Sequence, residues 1–214
     1  MMRKNINDYS LYVFDLDGTL YDQPKLRLIM AGRLIGYYIC HPFSVKDLII
    51  IMHFRRLKDS WEGNVREEDI IRKTADDLKV SFKRADGVVR KWIYDNPLSA
   101  LAKTKDEKLI GWIRDLRKKG KKAVVLSDYP TADKLKALGV EFDGQYGPDD
   151  MRIDELKPSP KGLSVIMDDT HVIPSEILMI GDRPEKDGEC AKAAGVDHLI
   201  LDRNVKKRKI NEEV

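Results

Sequence analysis

The chain of 214 residues has few cysteines, no long apolar run and almost no net charge. Its two cysteines, Cys40 and Cys190, form no Cys-x-x-Cys pair, which argues against a thiolate zinc site and against a disulfide framework. The most lipid-like run, residues 48–52, is far shorter than the roughly 20 apolar residues that a membrane span needs. The 39 basic and 36 acidic residues leave a net charge of only +3. We therefore expect no membrane and no nucleic-acid partner.

The first ten residues carry charge but no apolar segment of signal-peptide length, and Asp15 interrupts the apolar run that follows. This pattern does not predict secretion, and together with the scarce cysteines it favours a cytoplasmic location. The hydrophobic share of 42% and the charged share of 35% are typical of a globular protein. The length suits one α/β domain, or a core domain with a smaller inserted one.

Two aspartates follow the first β-favouring run of the chain. Residues 11–14 are apolar, and Asp15 and Asp17 come directly after them. Side chains two residues apart on a strand leave on the same side, so both carboxylates would share one small volume at the end of the strand. Like charges there repel unless a cation or a shared proton relieves them. Gly18 allows a tight turn whose amides can hold an anion. A metal ion with a phosphate group fits these features, and so does a plain Asp/Gly turn.

The region from about residue 25 to residue 95 contains no further β-like run, and its apolar residues recur at helical spacing. We predict one all-helical insertion over residues 24–98, with a second helix over 44–61 and a turn at Asn96-Pro97. The predicted inner face of that second helix consists of Val45, Leu48, Ile49, Met52 and Leu57.

Beyond the insertion, short apolar runs alternate with helical segments, which is typical of a parallel sheet covered on both faces. Asp15, Ser127 and Asp182 each stand at the end of such a run, and the ends of parallel strands meet along one edge. Lys157 lies ahead of a helix, in a segment predicted to be a long polar loop. Each residue alone also fits a cap, a turn or a solvated side chain, but their joint occurrence favours phosphoryl transfer.

Four motifs in this order resemble those of the haloacid dehalogenase-like (HAD) superfamily of hydrolases. They are Asp15-x-Asp17-Gly18-Thr19-Leu20, Ser127, Lys157-Pro158 and Gly181-Asp182-x4-Asp187. The resemblance spans Tyr12 to about Leu201. It implies an α/β fold with a Rossmann-like three-layer core over residues 1–23 and 99–214 and an all-helical cap of the first type over 24–98.

The resemblance also implies a Mg²⁺-dependent phosphatase that acts on a small phosphomonoester metabolite through an aspartyl-phosphate on Asp15. Family members that dehalogenate carbon lack the second aspartate, so Asp17 favours phosphorus as the electrophile. The implied site residues are Asp15, Asp17, Ser127 and Lys157 for catalysis, the same residues with Leu16 and Asp128 for phosphate, Asp15, Asp17 and Asp182 for the metal, and Asp187, Gly18 and Thr19 in support.

Polar side chains of the predicted cap are candidates for contacts with the substrate, namely Arg33, His53, Arg55 and Arg56, although solvated or helix-pairing side chains have the same pattern. The basic run 206–209 is interpreted as a solvated tail. Two alternative functions stay open: a phosphomutase of a sugar phosphate, and a phospho-receiver or phosphate-sensing module. We expect a monomer or a weak homodimer.

Overall fold

The computed structural model describes residues 5–61 and 66–208, and within these it has one five-stranded sheet. The strands are β1 (Leu11–Phe14), β2 (Lys122–Leu126), β3 (Gly144–Tyr146), β4 (Ile177–Gly181) and β5 (Asp197–Ile200). Their order across the sheet is β3-β2-β1-β4-β5, and every neighbouring pair is parallel. The chain builds one half of the sheet from β1 outward and then returns to build the other half, so the order switches beside β1. Open α/β sheets bind ligands at such a point, at the carboxyl ends of the strands.

Helices cover both faces of the sheet. Because successive residues of a strand point to opposite faces, the strand residues contribute alternately to two apolar clusters, one on each face. In β1, Tyr12 and Phe14 join the larger apolar cluster, which continues into the helices between β1 and β2, whereas Leu11 and Val13 join a separate cluster on the other face. All four residues are completely buried. The predicted fold class, an α/β three-layer core with a parallel sheet, is therefore confirmed.

Nine α-helices occur among the described residues. They are α1 (Gln23–Cys40), α2 (Asp47–Asp59), α3 (Glu67–Leu78), α4 (Phe82–Val89), α5 (Asn96–Leu101), α6 (Glu107–Lys118), α7 (Ala132–Leu138), α8 (Lys161–Thr170) and α9 (Glu189–Ala193). Helices α1 to α5 succeed one another between β1 and α6, and they occupy the region predicted as the cap. The predicted boundary at residue 98 falls inside α5, and the boundaries of the two parts stay a prediction.

The two segments that connect these helices to the sheet run side by side. The Asp22 amide donates to the Thr104 carbonyl at 2.7 Å, and the Asp106 amide donates to the Leu20 carbonyl at 2.9 Å. Asp22 also caps α1, and Asp106 caps α6. The entry to the helical region and the exit from it are thus held together next to the loop that follows β1.

Three local predictions differ from the structure. The chain does not turn at Asn96-Pro97: a π-helical segment over Arg90–Asp95 leads straight into α5. In α2 the buried residues are Ile50, Ile51, Phe54 and Lys58. Of the predicted inner face, Leu48 and Leu57 are partly buried against the larger apolar cluster, whereas Val45, Ile49 and Met52 are exposed. A continuous apolar run gives no information about which face of a helix is buried. The segment between α7 and Lys157, which was predicted as a long polar loop, contains β3. This strand is too short and too polar to give a strand pattern in the sequence.

None of the described helices combines the length and the apolar character needed to cross a bilayer.

Candidate active site

The sheet edge brings together side chains from three strand ends and one loop. Asp15 follows β1, Ser127 follows β2 and Asp182 follows β4, and each of the three is at most 6% exposed. Lys157 reaches the same place from the loop before α8 and is 5% exposed. The backbone holds the first of these residues in register, because the Asp15 amide donates to the Ile180 carbonyl at 2.8 Å.

Lys157 bridges two buried aspartates. Its Nζ atom donates to Asp15 Oδ1 at 2.6 Å and to Asp187 Oδ1 at 2.7 Å. Burial alone lowers the pKa of Lys157, but the two carboxylates raise that pKa well above its ordinary value, so the side chain stays an ammonium. The other Asp15 oxygen, Oδ2, accepts from the Thr19 hydroxyl at 2.8 Å. Both oxygens of Asp15 are therefore oriented by neighbours that the loop and the sheet hold in place.

Asp182 has a carboxylate oxygen whose hydrogen-bonding capacity is not satisfied. Its Oδ1 atom is buried without a hydrogen-bond partner among the residues that the structure describes. Carboxylate oxygens of Asp15, Asp182 and Asp187 lie within 4.8 Å of one another. Burial, followed by the nearby Asp187 charge, raises the pKa of Asp182, and burial also raises the pKa of Asp15. A buried acceptor without a donor, next to two further carboxylates, fits a hard cation with oxygen ligands.

Two glycines make this close approach possible. Gly18 has a φ of +99°, and a Cβ atom at this position would lie 2.7 Å from Asp182 Oδ2. A Cβ atom on Gly181 would lie 2.3 Å from the Asp187 side chain. Asp187 is fixed from the other side by the Arg183 amide, which donates to its Oδ2 atom at 3.0 Å. Any larger residue at either glycine would displace a carboxylate of the cluster.

Asp17 faces a different set of partners. Lys134 Nζ, from α7, lies 2.6 Å from Asp17 Oδ1 and 2.7 Å from Oδ2. The Tyr21 hydroxyl donates to the same Oδ1 atom at 2.5 Å. Burial raises the pKa of Asp17, but Lys134 and then Tyr21 outweigh it, so the net shift lowers the pKa of this carboxyl. Neither partner was predicted from the sequence, although Lys134 lies in the first turn of the helix after the Ser127 strand, a position close to the sheet edge.

The remaining predicted phosphate-binding residues lie beside this cluster. The Ser127 hydroxyl oxygen accepts from the Tyr129 amide at 3.1 Å, and Ser127, Asp128 and Lys157 line a recess large enough for about one water. Asp128 Oδ1 accepts from the Lys157 amide at 3.0 Å and so fixes the backbone of the lysine. The Leu16 side chain is fully buried in the larger apolar cluster.

Arg208 binds the acidic loop, residues 15–20, which follows β1. Its guanidinium donates to the Thr19 carbonyl at 2.6 Å, to Asp106 Oδ2 at 2.9 Å and to the Gly18 carbonyl. The Arg208 side chain is only 4% exposed, and that of Asp106 is 5% exposed. The interpretation of the basic run 206–209 as a solvated tail is therefore wrong for Arg208, whereas Lys206 and Lys207 are exposed and Lys209 lies outside the described residues.

A cavity of about 530 Å³ lies between the acidic loop and helices α1, α2 and α5. Its floor includes Asp15, Asp17, Lys157 and Asp182. The helical wall includes Arg27, Met30, Leu34, Ile51, Arg55 and Trp92. A volume of this size is typical of small-molecule sites.

Two of the four candidate substrate-contacting residues instead bind other residues of the helical region that was predicted as the cap. Arg33 donates to the Asn96 carbonyl at 2.5 Å, and His53 Nε2 lies 2.9 Å from Asp77 Oδ2. Neither Arg33 nor His53 lines the cavity. Arg55 does line it, whereas its neighbour Arg56 is exposed on the surface and does not.

The chain matches a known protein family over most of its length. The model of the family described as haloacid dehalogenase-like hydrolase matches residues 9–195. The chain belongs to the haloacid dehalogenase-like hydrolase family. Membership confirms the family predicted from the four motifs and makes the chain an enzyme of the hydrolase class. The phosphoglycolate phosphatase of Vibrio vulnificus (strain CMCP6) is 30% identical over 200 residues, which cover 88% of this chain and 81% of the relative.

Solved structures support the fold of this HAD-like chain. The 2-haloacid dehalogenase from Pseudomonas syringae pv. Tomato DC3000 has a TM-score of 0.64 at 16% identity, with 90% of this chain and 86% of that chain covered. A predicted phosphoglycolate phosphatase from Haemophilus somnus 129PT has a TM-score of 0.59 at 21% identity, with 92% and 86% covered. Because these neighbours include a dehalogenase and a predicted phosphatase, the fold alone does not choose between the two reactions.

Proposed function

We propose that the chain is a Mg²⁺-dependent phosphatase that hydrolyses a small phosphomonoester through an aspartyl-phosphate on Asp15. The observation that carries the proposal is the paired arrangement of Asp15 with Lys157 and of Asp17 with Lys134 at one cavity floor. The second aspartate gives the site a proton donor and acceptor that carbon dehalogenation does not require. The Vibrio relative, a phosphoglycolate phosphatase by name, supports the same class of reaction.

The unpartnered Asp182 oxygen supports a divalent ion in this site. Asp15 and Asp182 would hold Mg²⁺ through carboxylates, and Asp17 through its backbone carbonyl. Asp187 already binds Lys157 and the Arg183 amide, and we assign it a supporting role. When bound, Mg²⁺ supplies positive charge that offsets the clustered carboxylates and the phosphoryl oxygens.

The residues of the chain divide the reaction into two steps. In the first, an Asp15 oxygen attacks phosphorus, and the leaving oxygen takes a proton from Asp17. In the second, water attacks the aspartyl-phosphate, Asp17 takes the proton from this water, and the Asp15 carboxylate is restored as phosphate leaves. Lys157 balances negative charge on Asp15 and on the transferred group, and Ser127 with the amides of Leu16, Asp17 and Asp128 would bind phosphoryl oxygens.

Phosphate release from p-nitrophenyl phosphate and from a panel of phosphorylated metabolites, phosphoglycolate among them, tests this proposal. We expect release with Mg²⁺, none with EDTA, and a loss of roughly a thousandfold or more in the Asp15→Asn variant. Acid quenching during turnover followed by mass spectrometry of the peptide that contains Asp15 should detect one added phosphoryl group.

Asp115→Asn is a matched control, because this side chain is 62% exposed on α6 and lies outside the site. It should leave the rate unchanged. Full activity of Asp15→Asn, or activity unaffected by EDTA, would contradict the proposal. Positional isomerisation of a sugar phosphate without net release would favour a phosphomutase, and an aspartyl-phosphate that lasts for hours would favour a receiver module.

A further inference from the structure

Two arginines of the helical wall face the cavity without a carboxylate partner. Arg27 lies on α1 and Arg55 lies on α2, and both side chains are exposed. Neither side chain forms an ion pair or a hydrogen bond with another residue in the described part of the chain. A guanidinium is permanently charged and presents a planar fork of donors that matches carboxylate and phosphate oxygens.

The other cations that line the cavity are all paired. Lys157 and Lys134 bind the acidic floor, as described above. Lys186 Nζ lies 3.6 Å from Asp128 Oδ2, Arg183 Nε lies 3.0 Å from Glu185 Oε1, and Arg203 Nη2 lies 3.4 Å from the same Glu185 atom. Arg27 and Arg55 are therefore the cations of the described cavity lining whose guanidinium groups have no ion pair within the described part of the protein.

The position of these arginines along their helices places them above the floor. On α2, Asp59 contacts the core through Arg183 Nη1 at 3.3 Å, and Arg55 lies four residues earlier on the same helix face. Four residues of helix rise about 6 Å. Arg27 similarly lies four residues after Gln23, at the start of α1 next to the core connection. Each arginine thus lies about one helical turn from a residue, Asp59 or Gln23, that is next to the core.

Farther from the acidic floor than the two arginines, the cavity wall is apolar. The next turns contribute Met30 and Leu34 from α1 and Ile51 from α2, and Trp92 and Ile93 complete this part. These side chains offer little hydrogen bonding to a body rich in hydroxyl groups. The cavity therefore matches a compact molecule with two charged ends better than it matches a sugar.

We propose that Arg27 and Arg55 bind a second anionic group of the substrate. The substrate class is then a small phosphomonoester that carries a carboxylate or a second phosphate a few bonds from the phosphoryl group that is transferred. This inference rests on the proposed phosphatase function and adds to it the residues that select the leaving group.

The test compares esters that differ in the charge of the leaving group. We would measure kcat/KM with Mg²⁺ for phosphoglycolate, for its uncharged amide, and for ethylene glycol bisphosphate as the arm with a second phosphate. The wild-type enzyme should prefer the anionic esters over the amide by about tenfold to a hundredfold, which is the range for a charge-assisted pair. Arg27→Gln and Arg55→Gln should each remove about tenfold of that preference, mainly through KM, and lower kcat/KM for the amide much less than for the anionic esters.

Arg56→Gln is the matched control, because Arg56 is exposed on the same helix and lies outside the cavity. It should preserve the preference. Equal hydrolysis of the charged and uncharged esters by the wild type, or an equal loss for both in Arg27→Gln and Arg55→Gln, would overturn the proposal. Failure to hydrolyse any ester, p-nitrophenyl phosphate included, would instead count against the phosphatase function itself.

Discussion

Lys134 and Asp17 are separated by 117 residues in the sequence, yet the lysine Nζ lies 2.6 and 2.7 Å from the two carboxylate oxygens of the aspartate. The pair is largely buried, with side-chain exposures of 10% and 16%. Since the ammonium lowers the pKa of Asp17, it stabilises the ionised form that accepts a proton from water and disfavours the protonated form that the leaving group needs. The balance between the two proposed steps therefore depends on a residue outside the four motifs.

Replacing Lys134 with methionine should shift the pH dependence of kcat/KM. Without the ammonium, burial dominates and the pKa of Asp17 rises, so the acid form persists to higher pH. We expect the alkaline limb for an alkyl phosphate to move up by about one pH unit or more. p-Nitrophenyl phosphate, whose leaving group needs little protonation, should show a smaller shift. Lys136→Met, at an exposed position of the same helix, is the control; an unchanged profile in Lys134→Met would argue against this role.

Stabilisation by Mg²⁺ should increase with pH. Burial raises the pKa of Asp15 and of Asp182, so the metal-free folded protein binds more protons than the unfolded chain above the ordinary aspartate pKa of about 3.9. Its free energy of unfolding therefore falls through these two groups as pH rises above that value. A divalent ion favours the ionised carboxylates and offsets this loss.

The measurement is the difference in Tm between Mg²⁺ and EDTA, which should be larger at about pH 8 than at about pH 5. Asp182→Asn should remove most of the difference, whereas Asp168→Asn, at an exposed position of α8, should not. A Tm difference that is absent, or the same at both pH values, would count against a metal at these carboxylates.

The sequence predicted the parts of the molecule that local patterns encode. Short apolar runs that end in a polar residue predicted the parallel sheet, and they placed Asp15, Ser127 and Asp182 at one edge. Lys157 was singled out in the loop ahead of a helix, and the resemblance to a known motif then implied its role. The parallel sheet itself brings the three strand-end residues together, so their proximity could be predicted without knowing how distant helices pack.

The rest depends on tertiary packing, which local patterns do not contain. Lys134 and Arg208 are ordinary basic residues until the fold sets them beside Asp17 and the acidic loop. The buried face of α2 was predicted wrongly for Val45, Ile49 and Met52, because five consecutive apolar residues leave the orientation of the helix to its neighbours. Among the cap residues, only Arg55 of the four candidates lines the cavity, and Arg27 was not considered.

Substitution of Gly18 by alanine should weaken both the fold and the metal site. The φ of +99° is unfavourable for alanine, and its Cβ atom would lie 2.7 Å from Asp182 Oδ2. We expect a loss of about 1–3 kcal/mol in the free energy of unfolding, measured with urea, and weaker Mg²⁺ binding by titration calorimetry. Gly36→Ala is the matched control, because nothing lies within 4 Å of a Cβ atom there and α1 gains helix propensity. Equal effects of the two substitutions would show that no close approach is involved.

Removal of the Arg208 guanidinium should disturb the acidic loop from a position that does not line the cavity. Arg208→Ala leaves the Asp106 carboxylate and the carbonyls of Gly18 and Thr19 without this donor, and breaking a buried ion pair costs about 3–5 kcal/mol. We expect a loss of this size in urea unfolding and a lower kcat with little change in KM, because the backbone of Gly18 and Thr19 loses its support and the Thr19 hydroxyl orients Asp15 Oδ2. Arg208→Lys keeps the charge without the planar fork and should recover part of both losses.

Lys207→Ala, at the exposed neighbouring position, should change neither quantity. If Arg208→Ala destabilises the fold but keeps the full kcat under conditions where the protein is folded, Arg208 stabilises the structure without positioning the loop for the reaction.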